Sequence, residues 1–464
     1  MKSNSLATFA RRLCLVALLA GSGLAGCDSG ESPEEKPAPF PGTYQPLPAR
    51  TTLLRNATIL TGAGQRLDGA DVLMRDGRIV TVGARLDAAD AEVFDADGMW
   101  ITPGIIDVHS HLGVYPSPSV DAHADGNEIT SPNTAEVWAE HSVWPQDPGF
   151  VTALAGGITS LQILPGSANL FGGRSVTLKN VPNRTVQSMK FPGAPYGLKM
   201  ACGENPKRVY GGRFIAPSTR MGNVAGYRKA WIAAADYRDK KRKADEGEGE
   251  APTRDLQLET LAGVLDGEIL VHNHCYRADE MAIMLDIARE FGYRIAAFHH
   301  AVEAYKLRDY LAESGTCAAV WADWWGFKME AFDGILENAA LVDRAGACAI
   351  VHSDDQYGIQ RLNQETAKIM GAAARVGLDI PPEQAIRWIT ANAARALGIA
   401  GQTGTLEAGK MADVVVWDGD PFSVYTRASR VYIDGALVWD LENPRQNPVT
   451  DFSLGTAAWH RGVQ

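Results

Sequence analysis

Two pairs of histidines, each with one residue between its members, end separate apolar runs of this 464-residue chain, which has only 10 histidines. His109 and His111 lie in "IIDVHSHLG", and His272 and His274 lie in "VHNHC". Residues two apart on a strand point to the same side, so each pair would present two imidazoles together. Imidazole nitrogen is a preferred ligand of zinc-like cations. The pairs therefore predict one metal site if their strands lie close together.

Two later apolar runs end in residues of the same kind. His352 and Asp354 in "VHSDD" have the same spacing, whereas His299 and His300 in "FHH" are adjacent, so only one of these two can point inward. A divalent cation held by such groups lowers the pKa of water to about 7 and so provides hydroxide at neutral pH. One pair alone would be weak evidence. Four histidine-bearing strand ends along one chain predict a hydrolytic metal centre.

The elements that must position these residues alternate between strand and helix. Strand-like runs include "GGITSLQIL", "YGLKMAC", "YRIAAFHHA" and "TCAAVWADW", and helical patterns such as "ADEMAIMLDIAREFG" separate the later ones. This alternation predicts an α/β fold with a parallel (β/α)8 barrel of TIM type over residues 104–401, with "SVTLKN" (175–180) as its third strand. Active sites of such barrels lie at the carboxyl ends of the strands, where the histidines are placed.

The two ends of the chain have a different sequence pattern. Residues 52–102 and 412–440 read as short alternating strands, with turn signals at Asp76-Gly77 and Asp434-Gly435. We expect one small β-sandwich domain built from both termini, over residues 51–103 and 402–445, followed by a tail at 446–464.

The first residues are typical of an export signal. Arg11 and Arg12 precede the apolar stretch "LCLVALLAGSGLAGC", which is too short and Gly-rich for a membrane span. Its end, "LAGC", resembles a bacterial lipoprotein signal, which implies a signal peptide at 1–26 and a lipid on Cys27. Residues 27–50 are polar and Pro-rich and predict a flexible tether.

These features predict an exported protein, lipid-anchored to a periplasm-facing membrane of the cell envelope. The formal net charge is −11, and removing the signal peptide would take away three cationic residues. This negative charge disfavours nucleic-acid partners and electrostatic docking on anionic lipid. The protein would therefore contact the membrane only through its lipid anchor. A homo-oligomer is compatible with the sequence.

Four cysteines remain beyond the predicted signal, and none forms a C-x-x-C pair: Cys202, Cys275, Cys317 and Cys348. Cys317 lies six residues before Asp323, and Cys348 six before Asp354. We therefore expect these two to be neighbours at the starts of adjacent strands, either disulfide-bonded or as two small apolar fillers. Cys202 and Cys275 also match, each lying three residues after Lys199 or His272, but in predicted loops.

The segment "PGIIDVHSHLG" resembles the P-G-x-x-D-x-H-x-H signature of the amidohydrolase superfamily, close to its imidazolonepropionase-like and prolidase-like branches. "GTLEAGKMADVVVWDGDP" (404–421) resembles the superfamily's return into its β-sandwich, and the similarity covers about residues 52–440. The resemblance implies one or two divalent cations per chain, Zn2+ being the first candidate. The metal ligands it implies are His109, His111, Lys199, His272, His300 and Asp354. Lys199 matches a lysine that is carboxylated in binuclear members, and Lys179 and Glu204 are nearby alternatives.

The resemblance implies hydrolysis of an amide-type C–N bond by a metal-activated hydroxide. Asp354, His300 and Lys199 are the predicted catalytic residues, and Asp354 would move a proton from water to the leaving amine. The substrate is predicted to be a small amide or dipeptide, and Arg277, His274 and Arg220 are the residues predicted to bind it.

Three alternatives remain. A prolidase-like dipeptidase needs a cation for the substrate carboxylate, for which Arg277, Arg174 and Arg220 are candidates. A deaminase is a weaker alternative. A non-catalytic binding scaffold would be expected to have lost ligands, whereas this chain keeps a candidate at every position.

Overall fold

The structure, a computed structural model, describes residues 39–450. The predicted signal peptide, Cys27, most of the predicted tether and most of the C-terminal tail lie outside these residues. No helix in the described part is both long and apolar enough to cross a membrane. The predicted domain boundaries at residues 103 and 402 stay predictions.

Strands in the described residues fall into three groups along the chain. The first group precedes the central region: β1 (Thr52–Leu60), β2 (Arg66–Arg75), β3 (Arg78–Gly83), β4 (Glu92–Asp95) and β5 (Trp100–Pro103). The second group forms the central sheet: β6 (Ile105–Ser110), β7 (Ile158–Ile163), β8 (Phe171–Lys179), β9 (Gly197–Ala201), β10 (Leu270–Cys275), β11 (Ile295–His300), β12 (Cys317–Val320) and β13 (Cys348–Val351). The last group follows it: β14 (Val414–Trp417), β15 (Ala428–Ile433) and β16 (Ala436–Asp440).

The central strands make a nearly closed eight-stranded barrel in sequence order, from β6 to β13. The predicted third strand is present as β8, but it runs antiparallel to both β7 and β9. The expectation of a wholly parallel barrel was therefore wrong. Only residues 164–170 connect β7 to β8, and a parallel crossover needs a dozen residues or more.

Side chains close the barrel between its first and last strands. Asp107 on β6 accepts hydrogen bonds from Ser353 Oγ at 2.5 Å and from the Ser353 backbone N–H at 3.3 Å. The backbone N–H of Asp354 donates to His109 O at 2.9 Å. Burial raises the pKa of Asp107 to about 7, although the hydrogen bonds from Ser353 and His109 oppose that rise. These contacts join the two strand ends that carry the metal-ligand candidates.

Helices pack around the barrel, as the apolar periodicity predicts. In one of them Met281, Met284, Leu285 and Ala288 are buried, a spacing that puts them on one face, and the helix ends at Gly292 with φ 75°. The charge-dense segment 238–255 is a helix end followed by an exposed loop. The helices are α1 (Pro148–Ala155), α2 (Glu204–Gly211), α3 (Arg220–Asp245), α4 (Leu256–Leu265), α5 (Ala278–Phe291), α6 (Arg308–Ser314), α7 (Asn338–Arg344), α8 (Leu362–Arg375), α9 (Pro382–Ala385) and α10 (Ala391–Ala396).

The second sheet joins strands from both ends of the chain. Its order is β16-β15-β14-β5-β1-β2-β3, with β4 paired to β1, and β5 pairs antiparallel with β14. Both predicted Asp-Gly turns have positive φ at each residue, for example 51° at Asp76 and 76° at Gly77, as a two-residue hairpin requires. The sandwich arrangement of this sheet stays a prediction.

Both cysteine pairs are disulfide-bonded. Cys317 and Cys348 are register partners at the starts of β12 and β13, with Cα atoms 4.4 Å apart, which confirms their predicted proximity. Cys202 and Cys275 are bonded with a Cα separation of 5.2 Å. One disulfide therefore lies at the floor of the barrel and the other at its mouth.

Candidate active site

The carboxyl ends of the first and last barrel strands bring two imidazoles to one carboxylate. Asp354 Oδ1 lies 3.3 Å from His109 Nε2 and 3.1 Å from His111 Nε2. His111 Nδ1 lies 2.8 Å from the carbonyl oxygen of Leu164. Since a carbonyl only accepts, His111 Nδ1 carries a proton, and Nε2 is the nitrogen that faces Asp354.

Lys199 is the lysine that lies among the histidines. It is buried on β9 beside His272 on β10, its register partner, and its Nζ is 3.3 Å from His109 Nε2. Burial lowers the pKa of Lys199 to about 7, against the opposing effect of Asp354. The two alternatives lie elsewhere: Lys179 is bonded to Asp413, and Glu204 pairs with a lysine at 3.6 Å.

His300 lies at the end of β11 with a left-handed backbone. Its φ is 68°, an unusual value for a non-glycine residue that places it at a sharp turn. His300 Nδ1 is 3.8 Å from Asp354 Oδ2 and has no hydrogen-bond partner. His109, His300 and His352 each offer a nitrogen within 4.8 Å of the others, as do the ligand atoms of His109, His111 and Asp354. His352 was not among the predicted ligands.

His299 links two predicted ligands from beneath. Its Nδ1 is 2.9 Å from His109 Nδ1, and its Nε2 is 2.9 Å from His272 Nδ1. A neutral imidazole has one donor and one acceptor nitrogen, so His299 donates to one neighbour and accepts from the other. With all three rings neutral, only one outer Nε2 atom is free of a proton. Binding a cation through both His109 and His272 would therefore release a proton.

The buried ring nitrogens are kept unprotonated by their surroundings. Burial lowers the pKa of His272 and of His352 to about 3, and it lowers the pKa of His109 and His300 well below the usual range. Burial alone would raise the pKa of Asp354, but His300 and His111 hold it below its ordinary value. Neutral imidazoles around an ionised carboxylate are the protonation states that a metal site needs.

The donor set fits a divalent cation. Within residues 39–450, four buried imidazole nitrogens at the mouth have no hydrogen-bond partner: His272 Nε2, His274 Nδ1, His300 Nδ1 and His352 Nδ1. Buried polar atoms are nearly always paired in folded proteins, so these atoms call for a partner that protein atoms do not supply. Imidazoles and a carboxylate are ordinary ligands of Zn2+.

The residues predicted to bind substrate divide into two groups. His274 is buried at the mouth, with its ring centroid 4.6 Å from that of His300. The arginines are engaged elsewhere: Arg277 Nε donates to Asp279 at 2.9 Å, and Arg220 Nε lies 3.0 Å from Glu280 Oε1. Arg174, the third candidate for a carboxylate anchor, stacks on Trp138, with its Cζ atom 4.2 Å from the ring centroid.

One feature of the mouth was not predicted. A cavity beside Asp354 is lined by aromatic side chains, most of them from the segment "WADWWGF" that follows β12. Three tryptophans and one phenylalanine in so short a stretch were a usable signal, since loops at the carboxyl ends of barrel strands supply binding residues.

Comparison with known proteins places the chain in a family. A model described as Amidohydrolase family matches residues 333–449. The crystal structure of an amidohydrolase from Thermotoga maritima MSB8 is 35% identical, with a TM-score of 0.78 over 84% of this chain and 100% of that one. Amidohydrolase tasK of Hapsidospora irregularis is 33% identical over 430 residues, which are 84% of this chain but 43% of tasK, so the chain spans less than half of that protein. An imidazolonepropionase of Mesorhizobium japonicum is 26% identical over 404 residues, 78% of this chain and 91% of that protein. The chain belongs to the amidohydrolase family and is a hydrolase that acts on carbon–nitrogen bonds.

Proposed function

We propose that this protein is a metal-dependent amidohydrolase that cleaves an amide-type C–N bond of a small molecule. The observation that carries the proposal is the cluster of His109, His111 and Asp354 at the barrel mouth, with unpartnered imidazole nitrogens beside it. Similarity to an imidazolonepropionase over 91% of that protein supports a small, cyclic or N-acyl amide as substrate.

The residues that would hold the metal are those implied by the sequence: His109, His111, Lys199, His272, His300 and Asp354. A divalent cation bound there, with Zn2+ as the first candidate, supplies activated water at neutral pH and polarises the substrate carbonyl. The number of cations per chain, one or two, would depend on whether Lys199 is carboxylated, because a bare ammonium cannot bridge two cations.

Asp354 is the group that would move the proton. Its Oδ1 faces His109 and His111, while its Oδ2 lies on the side of His300. The neighbouring histidines keep the pKa of Asp354 below its ordinary value, so at neutral pH the carboxylate is ionised, which is the form that can accept a proton from water and pass it to the leaving nitrogen. His300, which lies on the Oδ2 side of Asp354, would help to hold that carboxylate in position. His274 would face the substrate.

A dipeptidase of the prolidase-like kind is the alternative within the same chemistry. None of its three candidate arginines lies unpaired at the mouth. Lys328 is a cation that adjoins it, with Nζ 3.9 Å from the centroid of the Tyr276 ring, 3.2 Å from Asn205 Oδ1 and 3.6 Å from Glu204 Oε1. A carboxylate-bearing substrate held by Lys328 would have to compete with Glu204.

The test is a hydrolysis screen over dipeptides, N-acyl amino acids and cyclic amides, with the metal content of the purified protein measured by elemental analysis. We expect at least one divalent cation per chain, loss of turnover after chelation and recovery with added Zn2+. Unchanged turnover in fully metal-free protein would overturn the metal-dependent mechanism.

We also propose export and a lipid anchor on Cys27. The two disulfides support an oxidising compartment, because such bonds are rare in the cytosol. Metabolic labelling with palmitate should mark the wild-type chain and leave Cys27→Ser unlabelled. Equal labelling of both chains would contradict the anchor.

A further inference from the structure

A cavity of about 440 Å³ opens beside Asp354. This volume lies within the range of about 300–1,000 Å³ typical of small-molecule sites. Because Asp354 is part of its wall, a ligand in the cavity would reach the proposed site of bond cleavage. The lining residues are Tyr276, Trp321, Asp323, Trp324, Trp325, Phe327 and Asp354.

Aromatic rings continue outward from the histidine cluster into this cavity. The Trp321 ring stacks on His300 with centroids 4.2 Å apart, and the Trp324 ring stacks on Trp321 at 5.1 Å. Trp321 Nε1 also donates to Ser353 O at 3.3 Å, which anchors the inner ring. The stack therefore leads from a predicted metal ligand to the cavity entrance.

The outer rings are exposed although the inner ones are buried. Tyr276 and Trp321 are 4% and 8% exposed, whereas Trp324, Trp325 and Phe327 are 40%, 57% and 57% exposed. Three large aromatic side chains exposed together beside a reaction centre indicate a surface that a ligand covers. Their π-faces favour offset stacking with another ring.

The charged groups of the cavity wall are already paired. Asp323 forms an ion pair with Lys368 at 3.0 Å, and Asp354 contacts the histidines. A cationic group entering the cavity would have to compete for these carboxylates. The wall is therefore suited to a planar apolar group rather than to a cation.

We propose that the substrate carries an aromatic ring, which stacks between Trp324, Trp325 and Phe327 while its C–N bond lies at Asp354. This rests on the proposed amide hydrolysis and adds the substrate class: an amide with an aryl or benzyl group next to the cleaved bond. N-acyl phenylalanines and benzyl-substituted cyclic amides are members of that class.

Matched substrates test the proposal. Within whichever series is turned over, phenylalanine-, alanine- and lysine-derived members are compared. We expect kcat/KM for the benzyl-bearing member to exceed that of the other two at least tenfold. Trp325→Ala should reduce this preference at least fivefold, because kcat/KM falls further for the benzyl-bearing member than for the methyl-bearing one, and Trp325→Phe should restore most of it. Tyr425→Ala, which removes a side chain that is 91% exposed in the turn between β14 and β15, is the matched control. Equal kcat/KM values, or a preference for the lysine-derived member, would overturn the proposal.

A binding measurement separates this proposal from the proposed function. 3-Phenylpropionate and propionate contain no C–N bond, and calorimetry on the intact holoenzyme compares their affinities directly. We expect 3-phenylpropionate to bind at least tenfold more tightly, and Trp325→Ala to remove most of that difference. This result without turnover of any amide would contradict amide hydrolysis and leave the aromatic site standing. Turnover without any preference for the ring, in rate or in binding, would do the reverse.

Discussion

Two lysines are buried at opposite ends of the barrel, and their surroundings differ. At the floor, Lys179 Nζ is 2.8 and 2.9 Å from the two carboxylate oxygens of Asp413 and 3.0 Å from Asp434 Oδ1. At the mouth, Lys199 Nζ has a single hydrogen-bond contact among the described residues, to a histidine nitrogen at 3.3 Å. Both lysines are almost fully buried.

The contrast separates a structural polar cluster from a functional one. At the floor, Asp413 also accepts from Thr403 at 2.7 Å and Asp434 from Tyr44 at 2.5 Å, so the ammonium and both carboxylates have hydrogen-bond partners within the chain. At the mouth, imidazole nitrogens are left without partners. Burying polar atoms unpaired costs stability, so this arrangement indicates a site built for a ligand.

The largest expected effect is on catalysis at the mouth. Asp354→Asn keeps the side-chain shape and removes the proton acceptor, so kcat should fall about 10²–10⁴-fold, the usual contribution of general acid–base catalysis. Steady-state kinetics on an amide found by the screen measures this, and unfolding curves should show a stability close to that of the wild type. Retention of more than a tenth of the wild-type kcat would exclude Asp354 as the proton carrier.

Substitutions at the floor should change the stability of the protein rather than its catalytic activity. Asp413→Ala removes the main carboxylate partner of Lys179 and the acceptor for Thr403 and the Asp434 backbone N–H, and removing one partner of a buried ion pair costs about 3–5 kcal/mol. Chemical denaturation would measure the loss. In the double variant Lys179→Met/Asp413→Leu we expect recovery of part of it, because the buried ammonium is gone while Asp434 keeps its hydrogen bond from Tyr44. A loss below about 1 kcal/mol for the single variant would show that the floor cluster is not a compensated ion pair.

A smaller effect is expected from the histidine that links two ligands. His299→Gln removes the nitrogen contacts to His109 and His272, and loss of such a supporting contact weakens metal affinity about 10–100-fold. Competition with a chelator of known affinity gives the change. His141→Gln is the control, since His141 lies on a half-exposed short helix away from these ligands. Equal metal affinity in both variants would show that His299 does not orient the ligands.

The smallest stability change should come from the lysine at the mouth. Lys199→Met keeps the volume and removes a buried amine that has no carboxylate partner, so the free energy of unfolding should change by about 1 kcal/mol or less. The same variant should lower the metal content if Lys199 bridges two cations. Two metals per chain in Lys199→Met by elemental analysis would rule out the bridging role. A decrease of several kcal/mol in the free energy of unfolding would show that Lys199, like Lys179, stabilises the fold.

Local patterns in the sequence were sufficient to predict where several of the candidate residues lie on their strands. The alternation of side chains along a strand placed His109 and His272 at strand ends facing one centre, and matching offsets placed Cys317 beside Cys348. The Asp-Gly turns and alternating runs predicted that strands from both ends would share a sheet. Each of these conclusions depends on neighbours in sequence, where the geometry of a strand or turn follows from its own residues.

Long-range contacts decided the rest. The short connection after β7 turns β8 antiparallel, and this reversal takes Lys179 to the floor, where Asp413 and Asp434 arrive from more than 200 residues away. The structure also put His299 beneath the ligands and grouped the aromatic rings of one loop around a cavity. Spacing along the chain specifies the side of a strand to which a residue points, but strand direction and the partners met there depend on how distant segments pack together.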